Sequence, residues 1–377
     1  MKYIISTLAI LISFFFSFCH TEKKAPQEKP VTVTEITFNF IGDLMMHSPQ
    51  RDYAKTDSGY DFNPVFEYVR KTLQSADFTV GNLETVVNSE KPYSGYPCFN
   101  SPEEYLKAIK SCGFDLLYLA NNHIYDYGSY GLESTIKETE KYGFLTTGYT
   151  VKNDSLKSYR IVKVKGVKIG FPAYTYGTNL GAQSNKSKTT VNVIDSAKIT
   201  NDIRKIREMG AELIIVYFHF GNEYQRTENN YQRKTEEIAL KAGADIIIAS
   251  HPHVIQPVRF YSDSSANIDT GFTAYSLGNF ISNQRWRYSD CGIILNFSIS
   301  RQDISRKFSL GDVKYLPVWV YKGNTGEKRE YKIISQNFKG GLYPEYISKK
   351  DSSAMIQSFN DTRYIITKYS DKIMPLK

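Results

Sequence analysis

The stretch ADIIIASHPH (244–253) is an apolar, β-branched run that ends in two histidines, His251 and His253. A short run of this composition predicts a strand in a sheet that is covered on both faces. Polar residues that directly follow such a strand lie where open α/β sheets bind their ligands, beyond the carboxyl ends of the strands. The two histidines are therefore either metal ligands or polar residues that simply end a buried strand.

The same pattern recurs along the chain from residue 35 onward. Each of six further apolar runs ends in a polar cluster, namely ITFNFIGD (36–43), ADFTVGNLE (76–84), FDLLYLANNH (114–123), KIGFPAYTYG (168–177), ELIIVYFHFG (212–221) and TAYSLGNF (273–280). Amphipathic stretches between the runs predict helices over 64–76, 101–113, 195–210 and 231–243. Strands that alternate with helices predict an α/β fold.

The pattern changes after about residue 300, and we predict a main domain over 35–300 with a C-terminal extension over 301–377. The extension contains two further apolar runs and a helical stretch over 349–370, but it has no cluster of candidate ligands. Its independence as a domain is left open.

The N-terminus has the features of an export signal. One early lysine is followed by an apolar run from Ile4 to Phe18, which is short for a membrane span and typical of a signal-peptide core. We predict a signal peptide over 1–18 and a lipid-modified Cys19, with ordinary secretion and an uncleaved anchor as alternatives. The polar, proline-containing segment 19–34 would tether the domain to the membrane of a cell envelope.

Charge and cysteine content narrow the partners. The formal net charge is +8, but the positive residues are scattered, so nucleic acid is not the predicted partner. An anionic substrate or an anionic cell-surface partner suits this charge equally well. Cys98, Cys112 and Cys291 show no CxxC spacing, so we expect small buried thiols, with one disulfide as the alternative.

The remaining histidines decide how the opening stretch is interpreted. Five of the six histidines in the chain fall at the ends of predicted strands, and acids and amides share those ends. Imidazole, carboxylate and amide groups that converge on one point are the ligands of Mn, Fe or Zn. The candidate set is Asp43, His47, Glu84, Asn122, His123, His219, Glu223, His251 and His253. Because this set has more members than the four ligands of one tetrahedral ion, we predict two divalent ions, with Glu84 as the bridging carboxylate.

Six motifs in this order resemble those of the bacterial capsule-synthesis protein A (CapA) family. They are FIGDLMMH, GNLET, LANNHIYDYG, HFGNEY, SHPHVIQP and YSLGNF, and they extend from about residue 36 to 298. That family is linked to poly-γ-glutamate capsule production and is similar to calcineurin-like metallophosphoesterases. The resemblance implies a β-sandwich flanked by helices, with a dinuclear metal site.

The resemblance also assigns roles to residues of this chain. Asp43, His47 and His253 would bind the first ion, although three residues separate Asp43 from His47 where the phosphoesterase pattern has one. Asn122, His219 and His251 would bind the second ion, and Glu84 would bridge the two. In the extended HPH segment, His251 and His253 would point the same way and address neighbouring ions.

The implied chemistry is metal-dependent hydrolysis or transfer on an anionic envelope polymer. His123 would protonate the leaving group, oriented by Asp126, and Glu223 would support His219. A turn acid and a surface acid remain the alternatives for Asp126 and Glu223. Residues that would contact substrate are Tyr96, Asn179, Arg285 and Arg287. Two rival functions stay open: a non-catalytic component that binds or guides an anionic polymer, and a glycosidase that uses Glu84 and Glu223.

Overall fold

The computed structural model describes residues 32–180, 187–262, 267–302, 307–326, 328–338 and 343–376. The predicted signal peptide 1–18, Cys19 and most of the 19–34 tether lie outside the described residues. No helix within the described ranges is long and apolar enough to cross a membrane.

The described residues form strands and helices in the following order. The strands are β1 (Val33–Leu44), β2 (Lys55–Thr56), β3 (Gly59–Tyr60), β4 (Phe78–Leu83), β5 (Val86–Val87), β6 (Asn100–Ser101), β7 (Leu116–Tyr118), β8 (Leu145–Thr147), β9 (Tyr149–Val151), β10 (Ile161–Val164), β11 (Val167–Gly170), β12 (Ala173–Thr175), β13 (Thr189–Val191), β14 (Leu213–His219), β15 (Ile246–Ser250), β16 (Val258–Ser262), β17 (Thr270–Ala274), β18 (Asn279–Ile281), β19 (Cys291–Gln302), β20 (Ser309–Asn324), β21 (Arg329–Ser335) and β22 (Ile373–Pro375). The α-helices are α1 (Ser48–Ala54), α2 (Arg70–Leu73), α3 (Glu103–Ser111), α4 (Gly128–Lys141), α5 (Ser155–Ser158), α6 (Ser196–Glu208), α7 (Asn230–Ala242) and α8 (Lys349–Ile366). A 3₁₀ helix spans Asn63–Phe66.

The first large sheet has nine strands and combines parallel and antiparallel pairing. Its main order is β21-β20-β19-β1-β4-β7-β8, with β18 paired to β1 and β22 paired to β20. Strands β1, β4, β7 and β8 are parallel, whereas β19, β20 and β21 extend the sheet in antiparallel fashion. The parallel half therefore directs several carboxyl ends to one edge.

The second large sheet has seven strands in the order β10-β11-β14-β15-β17-β16, with β12 also paired to β14. Its centre is parallel from β11 to β17. These strands are apolar on both faces because one face meets the first sheet and α6 and α7 cover the other. Ile199, Ile203 and Ile206 of α6 pack on this outer face.

Aromatic rings fill the space between the two sheets. Tyr118 of β7 stacks on Tyr217 of β14 with ring centroids 4.2 Å apart. Phe78 of β4 stacks on Phe171 beside β11 at 5.4 Å. All four side chains are buried, and this packing fixes the separation of the sheets and thus of the groups at their edges.

The predicted α/β sandwich flanked by helices is confirmed. Helices α3, α6 and α8 fall within their predicted stretches, and α7 begins one residue before its predicted stretch. The predicted helix over 64–76 is wrong as a single element, since it divides into the 3₁₀ helix and the four-residue α2. Val65, Phe66, Val69 and Leu73 are nevertheless buried, so tertiary packing preserves the apolar face without a continuous helix.

The residues after 300 continue the first sheet. The predicted boundary at residue 300 falls inside β19, which pairs with β20 along most of its length. Helix α8 packs against β20. Segment 301–377 thus adds strands and one covering helix to the sheet that carries β1.

Candidate metal centre

The candidate centre lies where the carboxyl ends of strands from both sheets meet. Asp43 is next to the last residue of β1, Glu84 directly follows β4, and His219 ends β14. One ligand atom from each of these three residues lies within 4.8 Å of the other two. The close approach requires Gly42, because a Cβ there would stand 1.9 Å from the carbonyl oxygen of Gly278.

Asn82 holds the two carboxylates together. Its side-chain amide donates to Asp43 Oδ1 at 2.8 Å and to Glu84 Oε2 at 3.1 Å. Asn121 in turn donates to Asn82 Oδ1 at 3.2 Å, which fixes the orientation of the Asn82 amide. One side of each carboxylate is therefore satisfied, and the other side faces the histidines.

His253 approaches Asp43 from the opposite direction. Its Nδ1 lies 3.2 Å from Asp43 Oδ2 and 3.0 Å from Asn279 Oδ1. Asn279 donates to Gln284 Oε1 and to the carbonyl oxygen of Ser289, so its own Oδ1 is directed at the imidazole. This arrangement orients the His253 ring at the edge of the two carboxylates.

His219 connects the acids to Asn122. Its Nε2 lies 2.8 Å from Asn122 Oδ1 and 3.7 Å from Glu84 Oε1, and its Nδ1 lies 3.2 Å from the hydroxyl of Tyr217. The imidazole is fully buried. Tyr217 therefore orients the ring from behind while Nε2 faces the centre.

The HPH segment is a turn, which corrects the extended conformation that we expected. Strand β15 ends at Ser250, and both His251 and His253 have positive φ values, 104° and 57°. Non-glycine residues rarely adopt this region, and each such residue costs about 1–3 kcal/mol. The turn still brings the two rings to a centroid distance of 6.1 Å. Surrounding contacts therefore hold a strained backbone at the centre.

Burial controls the charge of the two acids. It raises the pKa of Glu84 well above its usual range, and the neighbouring Asp43 carboxylate raises it further. Burial also pushes the pKa of Asp43 upward, but its contacts with His253 and Asn82 outweigh this effect and leave the pKa below its usual value. These surroundings therefore favour the charged form of Asp43 and the neutral form of Glu84.

Burial also favours the neutral form of two histidines, His219 and His251. It lowers the pKa of His219 well below the usual value, with a further contribution from His251. Burial and the nearby His253 lower the pKa of His251 to about 3. Neutral imidazole is the form that binds a metal ion.

Two buried atoms make the arrangement suitable for a cation. Glu84 Oε1 and His251 Nδ1 are enclosed and have no hydrogen-bond partner. Unpaired buried acceptors are costly, and native proteins satisfy nearly all of them. The donor set of carboxylate, imidazole and amide oxygen is one that Mn, Fe or Zn accepts. The residues present therefore fit divalent ions.

A histidine–aspartate pair, His123 and Asp126, lies beside this centre. His123 Nδ1 lies 2.8 Å from Asp126 Oδ2, which also accepts the backbone N–H of Phe99 at 2.7 Å. Both side chains of the pair are almost fully buried. Asp126 is thus positioned to hold a proton on Nδ1 of His123, and Nε2 is left for exchange.

His47 lies on the same cleft but has different partners. The backbone N–H of Asn283 lies 3.2 Å from His47 Nδ1, and Gln50 Oε1 lies 3.3 Å from the same atom. No hydrogen bond or ion pair within the described ranges joins His47 to Asp43 or Glu84. The Phe99 ring packs edge-on against both His47 and His123, with centroid distances of 5.0 and 4.6 Å.

A cleft of about 860 Å³ opens over the candidate metal centre and the His123–Asp126 pair. Of the predicted substrate residues, Tyr96 and Asn179 line it. Asn179 also accepts a hydrogen bond from the Asn122 amide at 3.3 Å. The rim carries exposed apolar side chains, including Tyr224 and Trp286.

Two predicted substrate residues, Arg285 and Arg287, lie away from the cleft, and Glu223 is exposed, as in the surface-acid alternative. Arg285 contacts the carbonyl oxygen of Val320 and the ring of Trp319, and Arg287 pairs with Asp361 of α8. Neither arginine lines the cleft, because this loop turns Trp286 toward it instead. Glu223 lines the cleft and is exposed, whereas Tyr217, Asn82 and Asn122 surround the His219 ring.

Sequence reasoning missed five residues that organise the site: Asn82, Phe99, Asn121, Tyr217 and Asn279. Three of them stand inside the motifs GNLET, LANNHIYDYG and YSLGNF, so their positions were available as a signal. Phe99 and Tyr217 look like ordinary core residues in sequence. The three described cysteines are free thiols, so the disulfide alternative is not met within the described residues.

The fold and the centre define a class of protein: a two-sheet α/β sandwich with a buried carboxylate, imidazole and amide cluster at the carboxyl ends of its strands. The chain belongs to the family described as bacterial capsule synthesis protein PGA_cap, whose model matches residues 37–284.

Two relatives and one solved structure are similar to this chain. The PGA biosynthesis protein CapA of Bacillus subtilis (strain 168) is 27% identical over 311 residues, which cover 81% of this chain and 79% of that protein. The capsule biosynthesis protein CapA of Bacillus anthracis is 29% identical over 339 residues, 86% of this chain and 78% of that protein. The calcineurin-like phosphoesterase YfkN from Bacillus subtilis matches with a TM-score of 0.42 and 14% identity, over 89% of this chain and 99% of that chain.

Proposed function

We propose that this protein is an exported, lipid-anchored hydrolase or transferase with two divalent metal ions that acts in the synthesis or processing of an anionic capsule polymer such as poly-γ-glutamate. Family membership and the names of the two Bacillus relatives support the capsule role. The observation that carries the metal site is the pair of enclosed, unpartnered atoms, Glu84 Oε1 and His251 Nδ1, beside a carboxylate.

Six residues would hold the ions. Asp43 and His253 would bind on one side of the centre and His219 and Asn122 on the other, with Glu84 between them. His251 would join His219, since their ring centroids are 4.8 Å apart. When bound, divalent ions polarise a phosphoryl or carbonyl oxygen and lower the pKa of a water molecule. Glu84 would give up its proton on binding, so affinity would fall at acidic pH.

The other polar residues would position substrate and move a proton. His123 would donate a proton from Nε2 to the leaving group, while Asp126 keeps Nδ1 protonated and the ring oriented. Asn179 would contact substrate at the mouth, where it lies 3.4 Å from the His123 ring nitrogens. Tyr96 would contribute an exposed face to the same mouth.

The cleft itself offers little positive charge to an anionic polymer. The described residues that line it include Asp126 and Glu223 but neither lysine nor arginine. The ions would therefore supply the charge that attracts a phosphoryl or carboxylate group, and the walls would bind the rest of the substrate through amides and aromatic rings. This division favours recognition of one group at a time rather than of an extended polyanion.

Elemental analysis of the purified protein tests the proposal. We expect about two equivalents of Mn, Fe or Zn. Far less than one equivalent after purification with added metal would refute the metal site.

Activity should be assayed on a generic phosphodiester and on γ-glutamyl peptides. His123→Ala should retain both ions and lose about 100-fold or more in turnover. Unchanged turnover in this variant would exclude His123 as the acid. A fully loaded protein without activity on either substrate would favour the non-catalytic polymer-binding role.

A further inference from the structure

We propose that His47 is not a metal ligand but a substrate-binding residue that carries its proton on Nε2 and donates this N–H to an oxygen atom of the substrate. The inference rests on the proposed function only in taking the cleft as the substrate site. On the side of the cleft where His47 packs against Phe99, His47 would recognise a phosphoryl or carbonyl oxygen of the substrate.

The contact with Asn283 fixes the tautomer of His47. The backbone N–H of Asn283 lies 3.2 Å from Nδ1. A backbone N–H can only donate, so Nδ1 must accept with its lone pair. In a neutral imidazole the proton then resides on Nε2. The lone pair of Nδ1 is used, and Nε2 has none to offer to a metal ion.

The Gln50 amide contacts the same nitrogen, but it does not reverse this assignment. Gln50 Oε1 lies 3.3 Å from Nδ1 and would favour a proton there. However, that oxygen already accepts the backbone N–H of His47 at 2.8 Å, and Gln50 Nε2 donates to the carbonyl oxygen of Met45. The amide is therefore satisfied and fixed in orientation, whereas the Asn283 N–H depends on Nδ1.

The Asn283 loop is itself held in place. Asn283 Oδ1 accepts hydrogen bonds from Lys322 Nζ at 3.0 Å and from the Tyr331 hydroxyl at 2.5 Å. Both partners belong to the antiparallel strands β20 and β21. The donor to His47 is thus part of a rigid network, and rotating the ring toward the acids would break it.

The Nε2 side of the ring faces the cleft. His47 lines the cleft, and Nε2 has no hydrogen-bond partner in the described part of the chain. Unlike His251 Nδ1, it is not enclosed. Burial of the rest of the ring lowers the pKa of His47 to about 4, so the imidazole stays neutral at physiological pH.

His47 and His123 then have complementary roles on the two sides of Phe99. Asp126 directs the proton of His123 to Nδ1, and Asn283 directs the proton of His47 to Nε2. His123 can exchange a proton at the cleft, whereas His47 keeps its proton and only donates a hydrogen bond. Each ring would thus address the substrate from its own side of Phe99.

Nitrogen NMR of the histidine rings tests the tautomer directly. The measurement compares ¹⁵N-labelled wild-type protein before and after saturation with Zn²⁺, with the His47 signals assigned by their loss in His47→Gln. We expect unprotonated Nδ1 and protonated Nε2 in both states, while the ring signals of His219 and His253 shift. Protonated Nδ1, or a His47 shift that follows Zn²⁺ saturation, would overturn the assignment.

Three substitutions test the binding role through the affinity of the Zn²⁺-loaded protein for inorganic phosphate. His47→Ala should keep the full metal content and weaken phosphate binding about ten-fold, the effect of one lost hydrogen bond. His47→Gln places an amide N–H near the position of Nε2 and should restore most of the affinity. His47→Asn places it near Nδ1 and should not.

The outcomes separate this inference from the proposed function. Loss of about one metal equivalent in His47→Ala and His47→Gln would identify His47 as a ligand and refute the inference. Unchanged phosphate affinity in all three variants would also refute it. If the wild-type protein binds no metal, the proposed function fails, and the NMR of the metal-free protein still decides the tautomer.

Discussion

The buried centre and the mouth of the cleft differ in almost every physical property. Asp43, Glu84 and His219 are fully enclosed, and the Asn82 amide donates to both acids. At the mouth, the Tyr96 side chain is 76% exposed and that of Trp286 is 51% exposed. The centre is built from strand ends of two packed sheets, whereas loops form the mouth.

This difference separates what the fold fixes from what it leaves adjustable. A strand end cannot shift without disturbing the sheet behind it, as the close approach of Gly42 to Gly278 shows. A loop side chain such as Trp286 can change without affecting the core. Chemistry should therefore depend on the centre and substrate choice on the mouth.

Replacing Glu84 should give the largest effect and should break the centre alone. We expect Glu84→Gln to lose both ions, because the central carboxylate is gone, and to lose activity at least about 1000-fold. The metal-free variant should be more stable than the metal-free wild type by about 1–3 kcal/mol at neutral pH, since an amide replaces a poorly solvated acid. Metal analysis and urea unfolding measure the two effects.

The pH dependence of this stability difference follows from the raised pKa of Glu84. Between the unfolded and folded pKa values, the folded state binds more protons than the unfolded state. The wild type therefore loses stability relative to Glu84→Gln as pH rises from the ordinary glutamate pKa toward the raised pKa of the folded state. The lowered pKa values of His219 and His251 act in the opposite direction, but both proteins share these residues. If the difference in unfolding free energy between Glu84→Gln and the wild type became smaller toward alkaline pH, the raised pKa of Glu84 would be contradicted.

Substitutions of His251 and His253 should produce the next largest effect by dividing the centre. His251→Ala should mainly empty the position beside His219, and His253→Ala the position beside Asp43, so each variant should keep about one equivalent. Elemental analysis with Mn²⁺ or Zn²⁺ measures this. If either single variant lost both ions, the two positions would not be separable.

A glycine variant provides the matched control for His251. The backbone φ at position 251 is 104°, a value that strains alanine as well as histidine but suits glycine. His251→Gly should lose the same ion as His251→Ala yet be more stable by about 1 kcal/mol in the metal-free state. Equal stability of the two variants in thermal unfolding would show that the turn stores no strain.

The sequence predicted the centre better than the mouth for a physical reason. Asp43, Glu84, His219, His251 and His253 each follow or end an apolar run, and parallel strands deliver their ends to one edge. A local pattern, polar residues directly after apolar runs, therefore indicated that residues far apart in the chain lie close together in the fold.

The supporting amides were missed because their role depends on strand register. Asn82 and Asn279 reach the centre because each pairs directly with Asp43 from a neighbouring strand. A single sequence does not reveal which strands are neighbours. The HPH turn was missed for a related reason, since the left-handed backbone is imposed by contacts from elsewhere in the fold.

Local propensity explains the missed helix α4. Its sequence, GSYGLESTIKETEK, contains two glycines and several β-branched or hydroxyl residues, all weak helix formers. Tertiary contacts compensate: the Val87 backbone N–H donates to the Thr135 hydroxyl, and the Ser134 hydroxyl donates to the Val87 carbonyl oxygen. Helix formation here is supported by one residue, Val87, which lies 48 and 47 residues before these two partners.

Substitutions at the mouth should give the smallest effects and show whether it is independent of the centre. Trp286→Ala removes an exposed ring that packs edge-on against Tyr224 at 5.2 Å. We expect both ions to remain and the KM for bis(p-nitrophenyl) phosphate to rise by about five-fold, the loss of one aromatic contact. Steady-state kinetics at full metal loading measures this, with turnover expected to change little.

Arg287→Ala is the matched control because this neighbouring side chain points away from the cleft. Arg287 pairs with Asp361 of α8 through two contacts of 2.9 Å, so its removal should leave the KM unchanged. A larger change in KM for Arg287→Ala than for Trp286→Ala would restore the arginine as a substrate contact. Loss of metal in Trp286→Ala would mean that the mouth supports the centre. The five-fold effect confined to Trp286 would instead assign substrate choice to the aromatic rim.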